Sequence, residues 1–272
     1  MTAPLPFSTT LTIAGSDPGG GAGIQADLKT FCAFGVYGAA VITALTAQNT
    51  RGVASIHEVP PEFVAAQLDA VLSDIPLGAL KTGMLSNAAI VEVVADRIRR
   101  HAVGNLVVDP VMVSKSGARL LSGDAVEVLL RRLFPLALLV TPNAAEAEVL
   151  AGTAPRDCAS MREAARRIAE FGPRAVLIKG GHIEGAEPGV ALDVLYDASS
   201  REFFELRAPR HDARFTHGAG CTLSAGIAAG LALGRPLFEA VRAAKDFLAR
   251  AIEAGILPGG GCGVPDHRVR PR

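Results

Sequence analysis

The stretch TTLTIAGSDPGGGAGIQADLKTFCAFGVYGAAVITAL, residues 9 to 45, runs from an apolar segment through a glycine turn into a pattern of helical period, then back to an apolar segment. TTLTIAG (9–15) has the length of a buried strand, GIQADLKTFCAFG (23–35) reads as a helix closed by Gly35, and YGAAVITAL (37–45) reads as the next strand. The same alternation continues. ALKTGM (79–84), NLVVDPVM (105–112), ALLVTP (137–142) and AVLIKGG (175–181) are further short strands, with helical stretches at 60–75, 87–101, 122–134, 143–151 and 160–171. Strand and helix in turn predict a mostly parallel sheet covered on both faces, a three-layer α/β/α arrangement. Right-handed crossovers place the C-terminal strand ends along one edge, where function is to be sought.

Two segments break the rhythm. QNTRGVASIHEV (48–59) and ALDVLYDASSREFFELRAPR (191–210) read as antiparallel ribbons, the first a flap over a pocket and the second an edge hairpin. Two helices follow, at 217–234 and 236–256, and the aperiodic end PGGGCGVPDHRVRPR is expected to be loose from residue 261. With no domain-sized linker, residues 1–260 are expected to form one domain.

Composition narrows the function. Lys plus Arg and Asp plus Glu are equal at 27 each, so no general field draws nucleic acid or an acidic membrane surface, and any bound anion must be caught locally. The four cysteines, at 32, 158, 221 and 262, form no C-x-x-C pair, and a chain of 272 residues needs no disulfide framework. The start MTAPLPFSTT lacks a charged and apolar leader pattern, and no apolar run reaches membrane-spanning length. A soluble, cytoplasmic protein with reduced thiols is expected.

Two glycine turns stand before helices. In GSDPGGGAGIQAD (15–27), Gly21, Gly23 and Ala26 satisfy a GxGxxA spacing, but VITALTAQN offers Gln48 where a dinucleotide site wants an acid. The turn either offers amides to a polar ligand or serves only its own bend. THGAGCTLSAG (216–226) is the stronger case: Gly218 and Gly220 permit converging N–H groups, a nest for a phosphate or oxyanion. Cys221 beside it is either an inert buried cysteine or a thiol whose pKa the helix N-terminus depresses. Asp109, Asn143, Glu146 and Lys179 fall at strand ends; each alone is an ordinary loop residue. Converging on one edge, they suit an oxygen-ligated Mg²⁺ and phosphoryl transfer.

Taken in order, LTIAGSDPGGGAGIQADLKTF, YGAAVITALTAQNT, KTGML, VVDPVMVSKSG, TPNAAEAEVL, LIKGGH and THGAGCTLSAGIAAG resemble the ribokinase-like small-molecule kinases over nearly the whole chain. Within them they resemble the hydroxymethylpyrimidine/phosphomethylpyrimidine kinases of thiamine biosynthesis. The resemblance implies ATP with Mg²⁺ and two successive phosphorylations of 4-amino-5-hydroxymethyl-2-methylpyrimidine. It implies that Gln48, Asp27, Gly15, Met84 and Val111 surround the pyrimidine, that Lys179, Asn143, Thr216 and Ala219 meet the nucleotide phosphates, and that Asp109 and Glu146 meet the metal. Cys221 stands where the family's sugar kinases carry an aspartate base, and is expected, with a depressed pKa, to accept or orient the hydroxyl proton while Gly218 and Gly220 stabilise the moving phosphoryl group. Relatives of this kind commonly pair, so a homodimer is expected. Gly19 and Ala219 depart from the usual Ser and Thr, the first expected to loosen its loop and the second to remove a hydroxyl near the phosphates, which puts ATP affinity in question; Phe215 stands where a small polar residue is usual. A pyridoxal kinase is the nearest alternative reading. A cysteine hydrolase would need a histidine base for Cys221, and a non-catalytic nucleotide-binding module would bind ATP without turnover.

Overall fold

A computed structural model describes residues 7–112, 120–181, 189–211 and 213–271. Residues 113–117 of the VVDPVMVSKSG segment and His182 of LIKGGH lie outside the described residues. The opening stretch forms β1 (Thr9–Ser16), α1 (Gly23–Ala33) and β2 (Tyr37–Asn49). Its two strands lie parallel, Thr9 opposite Tyr37, with α1 as the crossover that a parallel pair requires. After them come β3 (Gly52–Glu58), α2 (Pro61–Leu72), β4 (Ala79–Thr82), α3 (Ala88–Arg100), β5 (Leu106–Val108), α4 (Gly123–Val128) and β6 (Leu139–Val140). The chain continues with α5 (Ala144–Ala151), α6 (Cys158–Ala169), β7 (Ala175–Lys179), β8 (Val190–Asp197), β9 (Glu202–Pro209), α7 (Ala219–Ala232) and α8 (Leu237–Glu253).

All described strands join one sheet in the order β3-β2-β1-β4-β5-β6-β7-β8-β9. The centre is parallel, and β3, β8 and β9 pair antiparallel at the two edges. Strand alternation divides the core into two layers. Leu106, Val108, Val140, Val176 and Ile178 pack with α2 to α6 on one face, and Val107, Leu139, Ala175 and Leu177 pack with α1, α7 and α8 on the other. This is the expected three-layer fold.

Several boundaries differ from the sequence reading. β2 does not stop before the ribbon; it continues to Asn49, pairing with β1 in its first half and with β3 in its second. The strands expected at 105–112 and 137–142 pair only over Leu106–Val108 and Leu139–Val140, because their C-terminal residues leave the sheet to form the site. The helix expected at 122–134 is α-helical only to Val128 and then widens and tightens through Leu136, where Pro135 lacks the N–H that would continue it.

The tail from residue 261 is not loose. Cys262 N donates to Thr50 O at 2.8 Å, Gly263 N to Arg214 O at 2.8 Å and Asp266 N to Ala251 O at 2.8 Å, while Ile256 and Val264 bridge antiparallel. Its order comes from backbone bonds to three separate parts of the chain, the turn after β2, the turn before α7 and helix α8, rather than from a periodic apolar face, so periodicity gave no sign of it. No described helix is long and apolar enough to cross a membrane.

Candidate active site

The C-terminal strand ends meet in a cavity of about 930 Å³. Gly15 comes from β1, Gln48 from β2, Met84 from beyond β4, Asp109 and Val111 from beyond β5, Asn143 and Glu146 from beyond β6, and Lys179 from β7; the bend into α7 adds Thr216 and Gly218, and the first turn of α7 adds Ala219, Gly220 and Cys221. The parallel sheet therefore assembles these residues from across the chain, as the rule for crevices at strand C-termini requires. Arg210 lines the cavity as well, whereas the Arg214 guanidinium stands 5.6 Å from the centre of the Phe215 ring.

Asp27 is the exception. It is fully buried and does not line the cavity; its Oδ2 accepts from Thr12 Oγ1 at 2.6 Å and from Lys81 Nζ at 2.8 Å. Expected beside the pyrimidine, Asp27 is turned inward by α1 toward Thr12 of β1 and Lys81 of β4. Burial alone pushes its carboxyl up and the Lys81 ammonium down, but the 2.8 Å contact favours the charged pair and holds Lys81 above its ordinary value.

A second buried pair adjoins it: Lys179 Nζ donates to Asp109 Oδ1 at 2.8 Å and Thr141 Oγ1 to the same oxygen at 3.1 Å. Burial opposes the Lys179 charge, yet Asp109 and Glu146 together hold its pKa above the ordinary value. Glu146 is pushed up to about 7, by burial first and then by Asp109, with Lys179 acting against both. Asn143 and Glu146 also form a capping box: Glu146 N donates to Asn143 Oδ1 at 2.9 Å and Asn143 N to Glu146 Oε2 at 2.8 Å. Among the described residues no three His, Cys, Asp or Glu side chains cluster as a self-sufficient metal site. Two buried carboxylates beside an anion nest do fit a hard divalent cation that completes its shell with phosphate oxygens and water, and such a cation would restore the charge that burial takes from Glu146.

The two glycine turns divide the work. In the first, Asp17 Oδ1 accepts from Gly19 N at 2.9 Å, and its Oδ2 from Gly21 N at 3.2 Å and Ala22 N at 2.8 Å. A carboxylate of the chain itself fills that loop, so its amides are not offered to a ligand anion; the turn-only reading holds, and Gly19 serves this bend. In the second, Gly218 has φ +81°, and a Cβ there would lie 1.9 Å from Gly21 O, so only glycine fits. Ala219 N donates to Thr216 O and Thr222 N to Gly218 O. Among the described residues, Gly220 N and Cys221 N have no backbone acceptor, as expected in the first turn of a helix. Gly220 is helical and does not need glycine for its φ. A Cβ on it would stand 3.3 Å from Lys179 Nζ and 3.5 Å from Asp109 Oδ2, so its bareness brings the bend against the Lys179–Asp109 pair.

Cys221 does not have the depressed pKa expected of it. Burial pushes the half-buried thiol up to about 11, aided by Asp27 and Asp109, and neither Lys81 nor the Gly23 amide offsets it. The helix terminus favours the thiolate, but desolvation is the larger effect. No histidine bonds the sulfur among the described residues. His217 instead places Nε2 at 3.1 Å from Asp17 Oδ2 and at 3.4 Å from Gln48 Nε2, which removes the base that a cysteine hydrolase needs. All four cysteines are free. Sequence reasoning missed Asp17 and Lys81 and set His217 aside; the one available signal was Asp-Pro-Gly at 17–19, a turn former whose Asp side chain bonds nearby amides.

The phosphomethylpyrimidine kinase family model matches residues 17–266. The chain belongs to the phosphomethylpyrimidine kinase family. A hydroxymethylpyrimidine/phosphomethylpyrimidine kinase of Rhizobium meliloti is 55% identical over 245 residues, covering 90% of each chain. A thiamine biosynthesis bifunctional protein of Geobacter sulfurreducens is 52% identical over 97% of this chain, which spans only 53% of that longer protein. Among solved structures, a Bacillus subtilis pyridoxal kinase in complex with ADP superposes with a TM-score of 0.87 at 37% identity, covering 96% of this chain and 97% of that one. Phosphomethylpyrimidine kinase membership and the ribokinase-like fold thus agree with the constellation at the sheet edge.

Proposed function

We propose that this chain transfers the γ-phosphoryl group of ATP to the hydroxymethyl group of 4-amino-5-hydroxymethyl-2-methylpyrimidine, and then a second phosphoryl group to the resulting monophosphate. The observation that carries the reading is the bend at 218–221, with two amides that have no backbone acceptor among the described residues, packed against the Lys179–Asp109 pair in one cavity with Gln48. Such a nest stabilises charge on a migrating phosphoryl group in a site shielded from water. Lys179, Asn143, Thr216 and Ala219 border the phosphates, and Gln48, Gly15, Met84 and Val111 the pyrimidine. Asp109 and Glu146 would hold Mg²⁺, which when bound supplies positive charge to the phosphates. The Cys221 thiol orients the substrate hydroxyl; protonated near neutrality, it is not the base. A loose phosphoryl-transfer transition state asks chiefly for such positioning.

The likeness to a pyridoxal kinase favours one second reading, phosphorylation of pyridoxal at the same site. The free thiols support a cytoplasmic setting, and the exposed β3 edge supports a homodimer. The test is a mass-resolved product assay with ATP–Mg²⁺ and either the aminopyrimidine or pyridoxal. One and then two added phosphates on the pyrimidine are expected; faster turnover of pyridoxal, or ADP formation with neither, would displace the proposal.

A further inference from the structure

The hydrogen-bond arithmetic around Gln48 is unbalanced. Its Nε2 is 3.4 Å from His217 Nε2, and its Oε1 is 3.3 Å from Thr46 Oγ1. His217 Nε2 also lies 3.1 Å from Asp17 Oδ2. Asp17 is an ionised carboxylate and can only accept: burial raises its pKa, but the His217 bond and the Gly19 and Ala22 amides outweigh it and the net shift is downward. His217 Nε2 must therefore carry a proton and donate it, which leaves no lone pair for an amide N–H. Thr46 has one hydroxyl proton, donated to Ser16 O at 2.8 Å, so it has none for Gln48 Oε1. Turning the carboxamide over about its last bond removes both conflicts: the one His217 Nε2–H is then shared as a three-centre bond between Asp17 Oδ2, at 3.1 Å, and the Gln48 oxygen, which takes the place of the nitrogen at 3.4 Å, while the Gln48 nitrogen donates to Thr46 Oγ1.

We propose that Asp17 and His217 are a positioning pair that fixes which way the Gln48 carboxamide faces, and thereby selects a substrate carrying an amino group beside its hydroxymethyl arm. The inference rests on the kinase reading above. His217 immediately precedes the Gly218 bend, so the carboxamide oxygen lies on the side of the transferred phosphoryl group and the amide nitrogen on the far side. In the aminopyrimidine, the exocyclic amino group sits between the hydroxymethyl carbon and a ring nitrogen. With the hydroxymethyl arm at the bend, the amino group meets the oxygen and the ring nitrogen meets the N–H. Pyridoxal carries an aldehyde oxygen beside its hydroxymethyl arm, and a fixed carboxamide oxygen repels it. A carboxamide free to turn would accept both, so the lock works by exclusion as well as by attraction.

The surroundings hold this pair rigidly. A Cβ on Gly21 would stand 2.7 Å from His217 Cδ2 and 2.5 Å from Val264 Cγ1, so a bare glycine and the C-terminal tail together seat the imidazole. His217 N in turn donates to Gly263 O. The opposite face of Asp17 is fixed by Gln25, whose Oε1 accepts from Asp17 N at 2.9 Å.

The test compares kcat/KM and binding for the aminopyrimidine, its analogue without the amino group, and pyridoxal, in wild type, His217→Leu, His217→Gln and Thr46→Val. Wild type is expected to favour the aminopyrimidine over the deamino analogue by on the order of 10-fold or more, the cost of leaving a buried hydrogen-bonding group unmatched. His217→Leu removes the donor and should cut that preference about tenfold, chiefly through KM, and shift selectivity toward pyridoxal. His217→Gln, which keeps a donor, should restore part of the preference. Thr46→Val probes the other end of the carboxamide and should lower the preference even if the His217→Leu protein does not fold. A wild type that phosphorylates no aminopyrimidine overturns the kinase reading and this inference together. A wild type that does so, with the amino preference unchanged in His217→Leu or, failing that protein, in Thr46→Val, overturns the inference alone.

Discussion

Two opposing fields act on the sulfur of Cys221. The Lys81 ammonium and the Gly23 amide favour thiolate, while burial, Asp27 and Asp109 favour thiol, and the balance stands at about 11. Because this value is raised above that of an ordinary thiol, the protonated form persists through neutrality and ionises only well above it. Cys221→Ala is expected to lower kcat on the order of 10²-fold, with Cys221→Ser losing less because a hydroxyl can still orient the substrate. Iodoacetamide should label wild-type Cys221 slowly at pH 7.5 and faster as pH approaches 11, read by mass spectrometry of the peptide; rapid labelling at pH 7.5 would return the thiolate to consideration. The position of Cys221 at the head of α7 was legible in the sequence. Its ionisation was not, because Asp27 and Asp109 come from other elements, α1 and the end of β5, and only the fold brings them near.

Among the elements, the segment 256–269 shows how backbone bonding can do what a periodic apolar face does elsewhere. It ties Thr50 after β2, Arg214 before α7 and Ala251 in α8, and Thr222 Oγ1 lies 2.9 Å from His267 Nε2. Burial, with Lys29 adding to it, lowers the His267 pKa to about 4, so the ring is neutral at physiological pH and its contact with Thr222 carries no net charge. The segment also explains Phe215, which departs from the family pattern: a Cβ on Gly255 or on Gly263 would lie 2.5 Å from its ring, so two bare glycines make its slot. Ending the chain at Gly255 removes these bonds together with buried Val264. It should lower Tm by roughly 5 °C or more, since about 1 kcal/mol shifts a chain of this size by 2–4 °C, and should raise KM for the pyrimidine because His217 loses its seat; unchanged Tm and KM would show the segment to be dispensable. Other elements were open to reading. The capping box Asn143-x-x-Glu146 before an apolar run is a start signal visible in the sequence, although those residues read first as metal and phosphate ligands. The continuity of β2 was hidden because its first half pairs with β1 and its second with β3, so no single alternation runs through it.

At the scale of the whole molecule, the sheet ends in two edges that differ in their protection. β9 is short of apolar surface at its open edge: Glu202, Glu205, Arg207 and Pro209 interrupt it, the usual means of discouraging further pairing. β3, GVASIHE, has no Lys, Arg or Pro, and its one acid, Glu58, is engaged by Ser86 and by Asn87 Nδ2 at 2.7 Å. Residues 54 to 58 are exposed throughout, and Leu45, Ile56 and Phe63 nearby are 47%, 36% and 60% exposed, more apolar surface than an unpaired edge ordinarily carries. The β-bulge opposite Ala47–Gln48 twists this flap where it meets the cavity, so an interface on β3 would brace the strand that carries Gln48. The homodimer proposed above should therefore form at this edge rather than at β9. Light scattering on a sizing column is expected to give twice the 28.1 kDa of the chain, and Ile56→Lys to give the monomer mass with an unchanged circular dichroism spectrum. If pairing also steadies Gln48, the Ile56→Lys monomer should show a raised KM for the aminopyrimidine while KM for ATP changes less. A wild type that elutes as a monomer at all concentrations, or a dimer that survives Ile56→Lys and Leu45→Lys but is broken by Arg207→Glu, would remove β3 as the interface.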